Sequence, residues 1–205
     1  MKVVVAVDSF KGSMTSMEAG MAVKAGVLAA HKDAEVIVKP LADGGEGTTD
    51  ALIEGLNGER IDVTVTGPYH ESVNAYYGYL KDTNTAIMEM ASAAGITISD
   101  QKDPMTATTF GVGEMILDAI GRGIRNFIIG IGGSATNDGG IGMLRALGFT
   151  FLDKDGNETG EGGQALAKVA SVILSDKTEL LSQCNFKIAC DVTNPLCGFQ
   201  GATYI

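Results

Sequence analysis

Little in this sequence can hold a zinc ion or a disulfide. Among 205 residues there are three cysteines and two histidines. Cys184, Cys190 and Cys197 form no C-x-x-C, and His31 and His70 stand far apart, so no ligand spacing of the zinc type is present. An odd number of thiols in an acidic chain reads as reduced cysteine in a cytoplasm. Cys190 ends an apolar run and is expected in the core. Positive charge is scarce as well: 15 Lys and Arg stand against 25 Asp and Glu, for a formal charge of -10. Nucleic acid is thereby excluded as the main partner, because a phosphate backbone needs a basic face. An acidic chain can still bind anions where backbone amides and a few cations line the site. No apolar run approaches the roughly 20 residues of a membrane span. The opening strand, residues 2–7, lacks the h-region and cleavage site of a signal peptide.

What the sequence has in quantity is glycine, 28 residues of it. The richest stretch is residues 126–140, NFIIGIGGSATNDGG. Its apolar, β-branched start reads as a buried strand, and a helix is expected from about 141 to 147. Between them the glycines let the backbone pass close to a ligand, and a strand running through such a turn into a helix is a natural anion site. Gly132, Gly133, Ser134, Thr136 and Asn137 can offer donors, and Asp138 a carboxylate for a metal ion or a hydroxyl. The plainer reading is a connection whose polar residues cap the helix.

In chain order, strand 2–7 leads to a loop, then to a helix opened by Thr15 and Glu18 as a T-x-x-E capping box. Met17, Met21, Ala25 and Leu28 share one face of that helix, which should pack inward and end near His31. Strand 36–40 completes a β-α-β unit, the mark of a parallel sheet. Ligands of such sheets sit at the carboxyl ends of strands. Asp8, Ser9, Lys11 and Gly12 occupy the first such end. Asp43, Gly44, Gly45 and Glu46 occupy the second, ahead of a helix through about Leu56. An acid in a first helical turn, such as Glu46, also simply stabilises it, by about 0.3–1 kcal/mol.

Residues 60–66 alternate as a strand stopped by Gly67 and Pro68. Residues 72–80 alternate again, with Val73, Ala75 and Tyr77 on one side, and 85–90 form a further short run. Two strands so close predict antiparallel pairing, so the boundary between two regions is placed at 66/67. The expected fold class is α/β, with a parallel-sheet, Rossmann-like segment over 1–66 and a mixed α+β second domain over 67–205. Glu89, set among Met88, Met90 and Ala91, is an acid that must be paired or functional. A helix over 112–120, strands over 149–152 and 186–190, and a helix over 176–181 complete the chain. Asp191, Thr193 and Asn194 follow the last strand.

Five blocks, 8–13 (DSFKGS), 42–48 (ADGGEGT), 65–68 (VTGP), 130–140 (GIGGSATNDGG) and 190–196 (CDVTNPL), together resemble the bacterial glycerate kinase family. They occur in the family's order and span the chain. The resemblance implies ATP-dependent phosphorylation of D-glycerate to 2- or 3-phosphoglycerate with Mg2+, in the cytoplasm. It also implies a two-domain architecture with the site in the interdomain cleft. Family members are much longer, and their first domain is completed by the later part of the chain. A glycerate kinase-like fold, C-terminally truncated, is therefore expected, with uncovered sheet edges in 1–66. Such a chain is either an incomplete, non-catalytic form of the kinase or one partner of an assembly such as a homo-oligomer.

Phosphoryl transfer asks for positioning and charge neutralisation. On this resemblance the 132–140 turn holds a phosphate or the glycerate carboxylate. Lys11 neutralises the transferring group, with Ser9, Gly44, Gly45, Glu46 and Asn194 nearby. Asp8, Asp43, Asp138 and Asp191 serve Mg2+ and the attacking hydroxyl, Asp138 and Asp191 being the expected metal ligands. Asp191 is the expected base and Asp43 the second choice. A rival is a nicotinamide-binding oxidoreductase: Gly130, Gly132 and Ala135 fit G-x-G-x-x-G/A, and Asp153 follows about twenty residues on.

Overall fold

The computed structural model describes residues 1–10, 13–41, 44, 45, 47–190, 192–195 and 198–201. Lys11, Gly12, Asp43, Glu46, Asp191 and Cys197, all named above, lie outside the described residues.

The chain opens with β1 (Lys2–Val7), whose β-branched run pairs in parallel with β2 (Glu35–Pro40), from Lys2 opposite Glu35 to Val7 opposite Pro40. Between them runs α1 (Ser16–Ala30). The expected capping box opens it: Glu18 N donates to Thr15 Oγ1 at 3.2 Å, and Thr15 N to Glu18 Oε2 at 2.8 Å. His31 caps its end. Its seat differs from the expected one. The buried residues are Ser16, Ala19 and Gly20, whereas Met21 is 50% exposed and Ala25 lies open. Small residues let the helix sit close on β2; a Cβ at Gly20 would come within 2.4 Å of Val38 Cγ1.

Next come α2 (Thr48–Leu56), β3 (Glu59–Thr66), β4 (Ser72–Leu80), β5 (Thr85–Glu89), α3 (Ala91–Ala94) and α4 (Phe110–Gly121). After them lie β6 (Asn126–Gly130), α5 (Ile141–Ala146), β7 (Thr150–Leu152), β8 (Ser171–Ile173), α6 (Thr178–Leu181) and β9 (Asn185–Ala189). Five strands form one sheet in the order β3-β4-β5-β6-β9. The first three are antiparallel; β5, β6 and β9 run parallel. β7 and β8 pair separately as an antiparallel ribbon.

The position 66/67 falls between β3 and β4, which pair over all eight residues of β3. Residues 59–66 thus belong to the larger sheet, and the β1–α1–β2 unit ends earlier, at the turn before α2.

The main core lies on one face of that sheet. Tyr77, Ala86, Met88, Phe127 and Ile129 meet Val112, Met115, Ile116 and Ala119 of α4. Each fully buried large apolar side chain contributes roughly 1.5–3 kcal/mol. Tyr77 is buried to its hydroxyl, which donates to Asp118 Oδ2 at 2.7 Å. On the opposite face α2 closes over β4 through Gly78, where an added Cβ would lie 2.6 Å from Ile53 Cγ1. With helices on both sides, every residue of β5 is buried. β9 forms the open edge. Phe186 stacks on Phe127 with ring centroids 4.7 Å apart, but Ile188 is largely exposed. Cys190, expected in the core, is exposed for the same reason: it ends an edge strand whose outer side nothing covers among the described residues. No described helix is long and apolar enough to cross a membrane.

Candidate functional site

Two glycine-rich turns, far apart in sequence, lock together at the carboxyl ends of the strands. Gly132 N donates to Gly44 O at 3.1 Å. A Cβ at Gly132 would lie 2.7 Å from Gly45 Cα, one at Gly130 would lie 2.5 Å from Gly44 O, and one at Gly44 would lie 2.7 Å from Ala189 O. Backbone meets backbone at these positions, so no side chain fits there.

Glu89, at the end of β5, ties this floor to α2. It is 5% exposed, and its carboxylate accepts Thr49 N at 2.6 Å and Gly47 N at 3.3 Å. The N-cap of α2 is Gly47, which offers no side-chain cap, so Glu89 supplies one from another element. Burial pushes the Glu89 carboxyl above its ordinary value, while the hydrogen bonds from Thr49 and Gly47 pull it back in part.

Above the floor lies a cleft of about 960 Å³. The ends of four strands reach it: Asp8 and Ser9 after β1, Pro40 of β2, Gly132 and Gly133 after β6, and Val192 after β9. The first turn of α1 and the start of α2, with Gly45, Gly47 and Asp50, complete its walls. Asp8 Oδ1 accepts Ser9 N at 2.6 Å.

The 132–140 turn divides in two. Gly132 and Gly133 line the cleft. Beyond them the turn is zipped onto the segment after β5: Ile96 N donates to Gly133 O at 2.8 Å and Ala135 N to Ala94 O at 2.9 Å. Ser134 and Thr136 bond to one another, Oγ to Oγ1 at 2.8 Å and Thr136 N to Ser134 Oγ at 3.0 Å. Asn137 lies further on, its carbonyl beside Gly163.

Asp138 is 1% exposed. Its Oδ2 accepts Thr109 Oγ1 at 2.8 Å, Thr109 N at 2.9 Å and Gly142 N at 3.0 Å, and its Oδ1 accepts Gly140 N at 2.9 Å. Met143 N donates to Thr109 Oγ1 at 2.9 Å. Asp138, expected as a metal ligand, is held here by backbone and hydroxyl donors. A carboxylate so buried and so fully hydrogen-bonded is a helix cap that also staples α5 to α4. The plainer of the two readings of the turn holds for its second half.

Asn194, expected beside the substrate, is exposed and donates to Gln200 O at 3.4 Å. The cleft has one wall that sequence reasoning missed. Tyr76 OH donates to Asp50 Oδ2 at 3.0 Å, and the Arg60 guanidinium lies 3.6 Å from the centre of the Tyr76 ring. Burial, reinforced by Asp50, pushes the Tyr76 phenol well above its ordinary range, so it stays a donor. The alternation of 72–80 carried a signal: with Tyr77 facing the core, Tyr76 must face α2.

The dinucleotide reading is overturned by the same loops. In that fingerprint the glycines open the helix directly. Here α5 begins at Ile141, and Ala135 is tied to Ala94 instead. Asp153 is a turn former that accepts Asp155 N and Asn157 N, each at 2.9 Å, and β7 beside it belongs to a different sheet from β6.

Comparison with known proteins gives one consistent result. A family model described as the glycerate kinase family matches residues 3–205. Over 207 aligned residues the chain is 45% identical to a glycerate kinase of Bacillus subtilis (strain 168) and 45% identical to a glycerate 2-kinase of Escherichia coli (strain K12). Each alignment covers all of this chain and 54% of the relative. The chain therefore spans about half the length of the curated relatives it matches. A crystal structure of a glycerate kinase 2 from Salmonella typhimurium LT2 superposes with a TM-score of 0.89 at 45% identity, over 100% of this chain and 55% of that one.

Proposed function

The chain belongs to the glycerate kinase family, and from that premise we propose that its cleft is where D-glycerate is phosphorylated by ATP to 2- or 3-phosphoglycerate. The observation that carries the reading is the meeting of four strand ends, β1, β2, β6 and β9, around one cleft of about 960 Å³. That volume lies within the range of ligand pockets.

The charges of the lining fit a metal-bearing anion better than a bare one. Asp8, Glu18, Asp50 and Glu54 are the acids, and Arg60 is the one cation among the described lining residues. A free polyphosphate would be repelled by this wall, while one carrying Mg2+ would not. Among the described residues no three acids, histidines or cysteines gather into a metal cage. Mg2+ takes one or two carboxylates together with phosphate oxygens. Asp8 is the described acid best placed to hold it, and Asp191 and Asp43 are candidates on sequence. When bound, the ion neutralises charge on the transferring phosphoryl group.

The chain's own part is orientation. The apposed backbones of Gly44, Gly45 and Gly132 form a floor that admits an anion closely. Asp8 and Ser9 at the end of β1 line the same cleft, and Lys11, two residues further on, is the candidate on sequence for positive charge. Asp191, following β9, is the proposed base for the attacking hydroxyl. General-base catalysis of this kind contributes about 10²–10⁴-fold.

The test is an assay of ADP release by the chain with ATP, Mg2+ and D-glycerate, run beside ligand titration by NMR. Glycerate-dependent ADP release supports the reading, and Asp191→Asn should then lower turnover by at least about 10²-fold while KM changes little. Failure of both turnover and ligand-induced shifts at Ser9, Gly45 and Gly132 overturns it.

A further inference from the structure

We propose that Glu89 is the positioning residue of this site: its carboxylate holds Gly47 and Thr49 and, through Thr48, the backbone of Gly44 on the end of β6, so that Gly44 and Gly132 behave as one body. Three observations carry this. First, Glu89 is buried at the end of β5, beside the cleft and outside its lining, so its action on a ligand must pass through the groups it holds. Second, those groups are backbone amides on both sides of the α2 start, Gly47 N and Thr49 N. Third, the turn so held is locked to the other one without side chains. Gly132 N donates to Gly44 O, and the Cα of Gly45 occupies the space a Cβ on Gly132 would need.

The chain of contact runs β5, Glu89, Thr49, Thr48, Gly44, Gly132, β6: Gly44 N donates to Thr48 Oγ1 at 3.1 Å, and Gly132 N to Gly44 O. β5 and β6 are themselves paired, with Glu89 opposite Gly130, and Met90 N donates to Gly130 O at 2.9 Å. The loop is thus closed on itself, and each member is fixed by the next. A free carboxylate in so dry a place would be costly. Hydrogen bonding to the start of α2 offsets that cost and sets the angle at which the turn enters the cleft.

This rests on the cleft being the ligand site only where ligand affinity is measured; the backbone coupling stands on its own. The test uses the isotopically labelled chain. Glu89→Gln is expected to displace the amide signals of Gly47 and Thr49 and, past its direct contacts, those of Gly44 and Gly132, while Val112, Met115 and Ala119 stay in place. Displacement confined to Gly47 and Thr49 overturns the proposal, because Glu89 is then a helix cap and nothing more. If Glu89→Gln does not fold, Gly132→Ala reads the coupling from the other side. Its new methyl group meets Gly45, and the Glu89 carboxyl signal is expected to move; an unmoved signal overturns the proposal. Titration with Mg2+ and ADP adds the affinity: about tenfold weaker binding in Glu89→Gln, the loss of one charge-assisted hydrogen bond's worth of positioning. Equal affinity in both proteins overturns the proposal. Absence of binding by the unaltered chain counts instead against the proposed function and leaves the amide signals to decide the coupling.

Discussion

The parallel pairs β5–β6 and β1–β2 are both apolar runs, the first of Ala, Ile, Met and Phe, the second mainly of Val with Ile and Ala, and they end up in different surroundings. Every residue of β5 is buried. In β1 only Val5 is, and Val4 is 59% exposed. What separates them is cover. α4 lies on one face of β5 and α2 on the other, whereas among the described residues β1 and β2 are covered chiefly by α1, with α2 meeting β2 more lightly. The α1 helix repeats the contrast in itself: apolar on most sides, it is seated through Ser16, Ala19 and Gly20 and leaves Met21 and Val23 exposed. An apolar run predicts that an element exists; it does not say how many neighbours the element finds.

The comparison breaks most directly at Phe127. Its side chain is 1% exposed and stacks on Phe186. Phe127→Ala removes a ring from the centre of the sheet and should cost about 3–5 kcal/mol, read from the urea midpoint. A cost under about 1 kcal/mol would mean that the α4 face is no better packed than the β1 face.

Asp138 ranks second. Asp138→Ala leaves donors of Thr109, Gly140 and Gly142 without their acceptor, so about 1–3 kcal/mol should be lost, seen as a lower unfolding temperature. A neutral outcome would remove the α4–α5 staple from the account of why the larger region is rigid.

These two residues also mark where the sequence could be read and where it could not. Strand 126–130 announces itself by a run of β-branched and aromatic residues, and Thr15 and Glu18 announce α1 by spacing alone. The side to which Tyr77 points follows from period-2 alternation. All of these are local signals. Asp138 meets Thr109 across 29 residues of chain, and Glu89 meets Thr49 across 40. No spacing rule reports such a meeting, so a carboxylate used as a cap looked like one free for a ligand. The pairing of β3 is hidden from a local reading in the same way, because its partner β4 comes only later in the chain. The convergence of loops on the cleft was legible through topology, since strand ends of a parallel sheet share an edge. The Arg60–Tyr76–Asp50 wall was not, because it joins an edge strand to a helix on its flank.

A third effect separates the regions by pH. Burial, opposed in part by hydrogen bonds and reinforced by Asp50, raises the Glu89 carboxyl from its ordinary 4.5. The folded state then holds a proton that the unfolded chain has already released, so folding stability should fall as pH rises from about that value through the raised one, and level off above it. Glu89→Gln should flatten this slope in unfolding curves taken from acid to neutral pH. An unchanged slope would assign it to other carboxyls. In the β1–α1–β2 unit the Lys2–Glu35 pair is exposed on both sides, and such a surface pair adds little to stability.

The smallest expected effect is the sharpest test of the comparison. Val4→Thr keeps the β-branched shape of an exposed strand position, and Met21→Lys places a good helix former on an exposed face of α1. Both side chains already stand half or more in water. Their replacement should therefore change stability by no more than about 0.5 kcal/mol in urea titration. The same polar change made at Ile116, which is 1% exposed, would be severe. Were Val4→Thr or Met21→Lys to cost more than about 1 kcal/mol, those faces would have to be covered in solution. Repeating the titration at several protein concentrations would then tell a second copy of the chain, whose cover weakens on dilution, from a contact within the chain, whose cover does not.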